Sequence, residues 1–161
     1  MNSNPKISVV TISYNSSKTI RNTIESVLSQ DYENIEYIII DGKSTDSTTE
    51  IIRSYGDKIS YFISEKDDGL YDAMNKGIRV ATGAIVGILN SDDFYYTNHV
   101  MSDIAEMFVF NETDAVYGDL LYVDTIDTDK IRRYWKSGEF VLKNMRKGWT
   151  VPHPTFFVKK E

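Results

Sequence analysis

Two adjacent carboxylates, Asp92 and Asp93, follow the apolar run Ala84–Leu89 across Asn90 and Ser91. Side by side after a buried strand they repel, so they either raise each other's pKa or require a cation. Carboxylate oxygens suit Mg2+ or Mn2+, ions that commonly join protein acids to a ligand's phosphates. A helix-capping Asp before Phe94 accounts for one acid and not for both. Three other segments offer ligand-holding groups. Thr11-Ile12-Ser13-Tyr14-Asn15 supplies a ring that can stack on a base, with hydroxyl and amide groups beside it. A turn leading to a helix cap at Ser16 or Ser17 is its plainer use. In Asp41-Gly42-Lys43-Ser44-Thr45-Asp46 the first carboxylate directly follows an apolar run, where it can accept from a base N–H or a ribose hydroxyl. Gly42 allows close backbone approach, and a capping loop is again the alternative. Glu65-Lys66-Asp67-Asp68-Gly69 runs into a helix start, where acids are electrostatically ordinary. Asp68 nonetheless stands near the same crevice.

The elements that position these groups follow from periodicity. Lys6–Ile12 is compact and β-branched, a strand. Ile20, Ile24, Val27 and Leu28 recur at helical spacing within Ser17–Ser29. Ile35–Ile40, apolar apart from Glu36, reads as a strand buried on both faces. Ser47-Thr48-Thr49-Glu50 has the form of a capping box, opening a helix through Tyr55. Ile59–Ser64 reads as a third strand, Leu70, Met74 and Ile78 as one helix face, and Ala84–Leu89 as a fourth strand. This βαβαβαβ order implies an α/β fold with a parallel sheet and helices on both faces, whose ligands bind at the carboxyl ends of the strands. Beyond it, Val100, Ile104, Met107 and Phe108 make a further helix. Ala115–Val123 and Ile131–Trp135 read as strands, a hairpin across Asp124–Lys130, and an apolar strand-like run ends near Val158.

Length and composition bound the rest. The 161 residues suffice for one domain, and 41% apolar with 26% charged residues is an ordinary globular balance. No cysteine is present, which excludes disulfides and thiolate metal sites. No apolar run approaches the roughly 20 residues needed to span a bilayer. Met1–Lys6 does not resemble a signal peptide, so a cytoplasmic location is expected, at the inner face of the plasma membrane if the acceptor is lipid-linked. A net charge of −6 argues against a nucleic-acid partner. G-x-G-x-x-G and G-x-x-x-x-G-K-[ST] are both absent, which disfavours dinucleotide-binding and P-loop domains.

Together the strand-end motifs resemble the family 2 glycosyltransferases of GT-A fold. The matching residues are Val9 to Asn15, Ser26 to Gln30, Ile39 to Asp46, Tyr71 to Gly77 and Leu89 to Asp93, in the family's order and spacing. Pro152 to Phe157 extends the resemblance toward bacterial enzymes of surface-polysaccharide synthesis. The resemblance implies a nucleotide-sugar donor, probed first as a UDP-sugar, a glycan or lipid-linked acceptor, and Mn2+ or Mg2+ as cofactor. It implies that Tyr14 and Asp41 hold the base, that Thr11, Ser13, Asn15 and Ser44 line the same pocket, and that Asp68 borders it. Asp92 would approach the ribose or the metal, and Asp93 would be the main metal ligand. Asn90 replaces the commoner Asp of the family's D-x-D pattern. The implied reaction is hexosyl transfer with inversion, its base an acidic residue beyond the Phe156-Phe157 strand and so beyond this chain. His153 then stands as a candidate catalytic or metal-binding group, against a plainer reading as a buried histidine held by backbone carbonyls.

The expected organisation is one GT-A domain over 1–161, with a nucleotide-sugar-binding half at 5–95 and the start of an acceptor half at 96–161, truncated at its end. Arg132, Arg133, Lys136, Arg146 and Lys147 form either a phosphate-facing cluster or a solvated basic face. Two competing functions are a nucleotidyltransferase, disfavoured by the glycine-free Tyr14-Asn15-Ser16-Ser17-Lys18 loop, and a catalytically incomplete nucleotide-sugar-binding module.

Overall fold

A computed structural model describes residues 4–160; Met1–Ser3 of the polar N-terminal segment, and Glu161, lie outside the described residues. β1 (Ile7–Ser13), α1 (Ile20–Leu28), β2 (Ile35–Asp41), α2 (Thr48–Arg53), β3 (Tyr61–Ser64), α3 (Leu70–Val80) and β4 (Ile85–Asn90) reproduce the expected alternation. There follow α4 (Val100–Phe110), β5 (Ala115–Val116), β6 (Leu120–Val123), β7 (Ile131–Trp135), α5 (Leu142–Met145) and β8 (Phe157–Lys159). The main sheet runs β3-β2-β1-β4-β8-β5. Its first four strands are parallel and β8 is antiparallel to both neighbours. β6 and β7 form a separate antiparallel pair.

Alternation along β1 divides the core. Ile7 and Val9 join Ile39, Leu89 and the apolar faces of α1, α2 and α4. Val10 and Ile12 join Ile38, Ile40, Val86 and α3 on the other face. Strands buried on both faces explain the continuous apolar run in β2.

Two glycines set how closely these layers meet. A Cβ on Gly77 of α3 would lie 2.2 Å from Val10 Cγ1, and one on Gly87 of β4 would lie 2.3 Å from the Phe157 ring. The buried face of α3 is therefore Ala73 and Gly77, with Met74 and Ile78 half-buried, whereas Leu70 is exposed. The expected Leu70-Met74-Ile78 face is displaced because small residues allow the closest approach to the sheet.

Three other expectations shift. Ser47 makes no side-chain cap at the start of α2. Asp46, one residue earlier, takes that place by accepting from the Thr48 N–H at 3.0 Å and from the Thr48 hydroxyl. Ala115–Val123 is not one strand: Tyr117-Gly118-Asp119 separates β5 in the main sheet from β6 in the hairpin. The apolar segment before Val158 is mostly irregular, with a 3-10 turn at His153–Thr155, and pairs with β4 only over Phe157–Lys159.

Candidate functional site

The parallel arrangement brings the carboxyl ends of β1, β2, β3 and β4 to one edge of the sheet. The loops leaving β1 and β2 are stitched together there. The Gly42 N–H donates to the Ser13 carbonyl at 2.8 Å. The Asn15 N–H donates to Ser44 Oγ at 2.8 Å, and the Thr45 N–H returns a bond to Asn15 Oδ1 at 2.9 Å. Ser16 and Ser17 donate their N–H groups to Thr48 Oγ1 at 2.7 Å and Asp46 Oδ2 at 3.1 Å. Those hydrogen bonds to Asp46, the Thr48 hydroxyl foremost, hold its carboxyl well below the usual carboxylate range. Asn15 and Lys43 both have left-handed φ, at 49° and 63°. Such a conformation is unfavourable for lysine, so the surrounding bonds must impose it.

The sequence-derived candidates divide at this edge. Tyr14 is 64% exposed beside the Gly42 turn, a ring open to a ligand. Asn15 and Ser44 border it, and Ser13 is buried beneath. Thr11 does not line the pocket. Its side chain is fully buried and pairs with the Tyr37 hydroxyl at 3.1 Å, because alternation turns it into the core. Asp41 is also fully buried. Its carboxylate accepts from the Ser44 N–H at 2.9 Å, the Ser44 hydroxyl and the Ser64 hydroxyl at 2.6 Å. It anchors the Gly42–Ser44 turn from below instead of facing the open edge. Asp68 is exposed and its backbone N–H donates to Asp72 Oδ2 at 3.2 Å. Asp67, which the sequence reading passed over, is the acid beside the turn: its Oδ2 lies 2.7 Å from where a Gly42 Cβ would be.

At the end of β4, Asp92 is exposed and Asp93 half-buried. Burial pushes the Asp93 carboxyl above its ordinary value, and the adjacent Asp92 charge adds to the rise. Asn90 links the group. Its Nδ2 donates to Asp93 Oδ2 at 3.1 Å and lies 2.8 Å from His153 Nε2. His153 is exposed, not buried between carbonyls, and its Nε2 stands against the Asn90 amide. Asn90 Oδ1 is buried without a hydrogen-bond partner among the described residues. The Ser16 and Ser91 hydroxyls meet at 2.6 Å and tie this loop to that of β1.

These groups fit a divalent cation of the Mg2+ or Mn2+ type. Asp93 brings a carboxylate whose charge burial disfavours, Asp92 a second one, and Asn90 an oxygen with no partner. Among the described residues no three His, Cys, Asp or Glu side chains gather as a complete cage. A site that keeps positions for ligand phosphates needs only one or two carboxylates.

Beside the acids a cleft of about 840 Å³ opens between α1, α4 and the β6–β7 hairpin. Asp92, Asp93, Tyr96, Leu120 and Tyr134 are among its walls. Thr23 and Tyr95 also line it, each with a buried hydroxyl that has no partner among the described residues. Sequence periodicity carries no sign of this cleft, since the pattern that marks the hairpin does not say against which elements it packs.

The profile described as "Glycosyl transferase family 2" matches residues 8–159. The chain belongs to this family. A relative from Escherichia coli, named UDP-Glc:alpha-D-GlcNAc-diphosphoundecaprenol beta-1,3-glucosyltransferase WfaP, is 38% identical over 69% of this chain and 43% of its own length. S. aureus TarS 1-349, solved in complex with UDP-GlcNAc, superposes with a TM-score of 0.74 over 96% of this chain and 45% of its own, at 23% identity. The mannosyltransferase PcManGT of Pyrobaculum calidifontis, solved with GDP-Man and Mn2+, gives 0.65 over 78% of this chain and 37% of its own, at 23% identity. The fold is therefore that of GT-A glycosyltransferases. The family 2 chain spans about a third of the length of several curated relatives it matches.

Proposed function

We propose that this family 2 domain binds a nucleotide-diphosphate sugar, probed first as a UDP-sugar, and serves metal-dependent, inverting transfer of its hexose to a glycan or lipid-linked acceptor in surface-polysaccharide synthesis. The observation that carries the reading is the half-buried Asp93, its carboxyl raised by burial and by Asp92, beside the partnerless Asn90 oxygen at the strand-end edge. Names of relatives support the donor class: WfaP is named for UDP-Glc, and TarS and PcManGT were solved with UDP-GlcNAc and GDP-Man.

In this reading residues 5–95 hold the donor and 96–161 begin the acceptor side. Tyr14 stacks on the base. Asn15, Ser44 and the Gly42 backbone present polar groups to base and ribose, while Asp41 acts through the turn it anchors. Asp93, Asp92 and the Asn90 oxygen would hold Mn2+ or Mg2+. When bound, that ion supplies Lewis-acid stabilisation of charge building on the leaving diphosphate. In the transfer the acceptor oxygen bonds to the anomeric carbon, the bond to the diphosphate breaks, and the nucleoside diphosphate leaves with its electron pair. The acceptor proton must pass to a base. His153, whose Nε2 lies 2.8 Å from Asn90 Nδ2, is this chain's candidate to take that proton or to join the metal once its contact with Asn90 is released. The cleft beside the acids is the space for the acceptor.

Thermal unfolding with UDP-Glc, UDP-GlcNAc and GDP-Man, each with Mn2+, tests the donor class. A bound donor raises the Tm by mass action, about 2.7 kcal/mol of stabilisation at a hundred times Kd. A rise with at least one UDP-sugar is expected, and release of UDP on adding acceptor separates a transferase from a binding module. No shift with any donor would contradict the reading.

A further inference from the structure

The stretch 130–147 has a character opposite to the rest of the chain. It holds seven of the eighteen Lys and Arg residues and one of the twenty-four Asp and Glu residues. All seven cations, Lys130, Arg132, Arg133, Lys136, Lys143, Arg146 and Lys147, are exposed. Arg132 pairs with Asp124, and Arg133 lies over the Tyr122 and Trp135 rings. No other ion pair involves this stretch among the described residues. Large apolar side chains stand exposed between the cations: Phe140 at 56%, Leu142 at 68% and Met145 at 51%.

This display is held in shape. The Trp149 indole N–H donates to the Ser137 carbonyl at 3.0 Å, and its ring meets Phe140 and Tyr117 edge-on at 5.9 and 5.8 Å. Tyr117 OH donates to the Gly138 carbonyl at 3.0 Å, and Asp119 accepts from the Ser137 N–H and hydroxyl. Phe140 is therefore braced on one edge while more than half of it faces outward.

We infer that residues 136–147, with the basic strand β7 beside them, form a docking surface for an anionic lipid bilayer. Exposed apolar side chains interspersed along the chain with exposed Lys and Arg match the interfacial region of such a membrane, where the former enter the headgroup boundary and the latter meet lipid phosphates. Charge complementarity decides among occupants. Pairing residues 136–147 with the same residues of a second copy would set Lys136, Lys143, Arg146 and Lys147 against like charges. No helix among the described residues is long and apolar enough to cross a membrane. The adjoining hairpin also walls the cleft beside Asp92 and Asp93, so docking would bring that cleft to the lipid surface. The inference stands on this surface and not on the sugar-transfer reading.

Co-sedimentation of the chain with vesicles of phosphatidylcholine, with and without about one third phosphatidylglycerol, tests it. The wild type should pellet with the anionic vesicles only, and increasingly less as NaCl is raised, because screening weakens charge attraction. Phe140→Ser/Leu142→Ser/Met145→Ser and Lys143→Glu/Arg146→Glu/Lys147→Glu should each cut the pelleted fraction at least about fivefold. Their circular dichroism and UDP-sugar binding should stay as in the wild type, which keeps this outcome separate from the donor site. Absence of pelleting at low salt, or equal pelleting by the folded charge-reversal variant, would overturn it. So would concentration-dependent dimerisation in lipid-free sedimentation velocity that the apolar triple variant abolishes, since a second copy would then be the occupant.

Discussion

Asn90 is where Asp93 and His153 meet, through a single amide nitrogen in reach of both. Asn90→Asp would remove that donor and set a third carboxylate beside Asp93, whose carboxyl burial already pushes upward. We expect the variant to lose about 0.5–1.5 kcal/mol in EDTA, the usual net worth of a part-buried hydrogen bond. Mn2+ should restore more stability to it than it adds to the wild type; an equal Mn2+ response would place Asn90 outside the metal site. Denaturant unfolding with and without Mn2+ makes the comparison. The position of Tyr14 and of the acid pair at the open sheet edge was readable in the sequence, because each lies within three residues of a strand's end. Thr11, Asp41 and Asp68 were harder to place, since a strand's end does not reveal which way its last side chains turn. Thr11 points into the core, Asp41 binds its own loop, and Asp67 takes the place assigned to Asp68.

At the level of elements, the βαβ half was readable almost throughout, because burial on one face or two writes period 3.6 or continuous apolarity into the residues. What periodicity missed was close packing by small side chains. Gly77→Ala would drive a methyl into Val10, and we expect a loss of about 1–3 kcal/mol in denaturant unfolding, typical of overpacking. A neutral or stabilising result would mean that α3 can move off the sheet. The end of α1 meets the start of α4 through His99 Nδ1 and Asp31 Oδ2 at 2.6 Å. Hydrogen bonding to Asp31 raises the His99 pKa from its ordinary 6.5, and the same bond lowers that of Asp31 from 3.8. The histidine's contribution is full below 6.5 and fades as pH rises through its raised value; the aspartate's is full above 3.8 and fades as pH falls through its lowered value. The Tm gap between wild type and His99→Asn should therefore be widest between pH 3.8 and 6.5 and narrow on either side. Both groups are substantially exposed, so the gap should be small, and a gap independent of pH would show that the pair is not charged.

Across the whole molecule, charge is divided. An acidic sheet edge carries Asp67, Asp92 and Asp93, while residues 130–147 carry the basic excess. The sequence displayed both groups but not their placement, because the loop after β7 is held by a few contacts around Trp149 and not by a repeating pattern. An acidic edge can hold a diphosphate only if a cation or backbone donors offset its charge. Calorimetric titration of UDP-GlcNAc and UDP-Glc into the chain, with Mn2+ and then with EDTA, and into Asp93→Ala, tests that requirement most directly. Saturable binding with Mn2+ is expected, weakening at least about tenfold, or 1.4 kcal/mol, both in EDTA and in the variant. Equal affinity with and without the metal, or unchanged binding by Asp93→Ala, would contradict it.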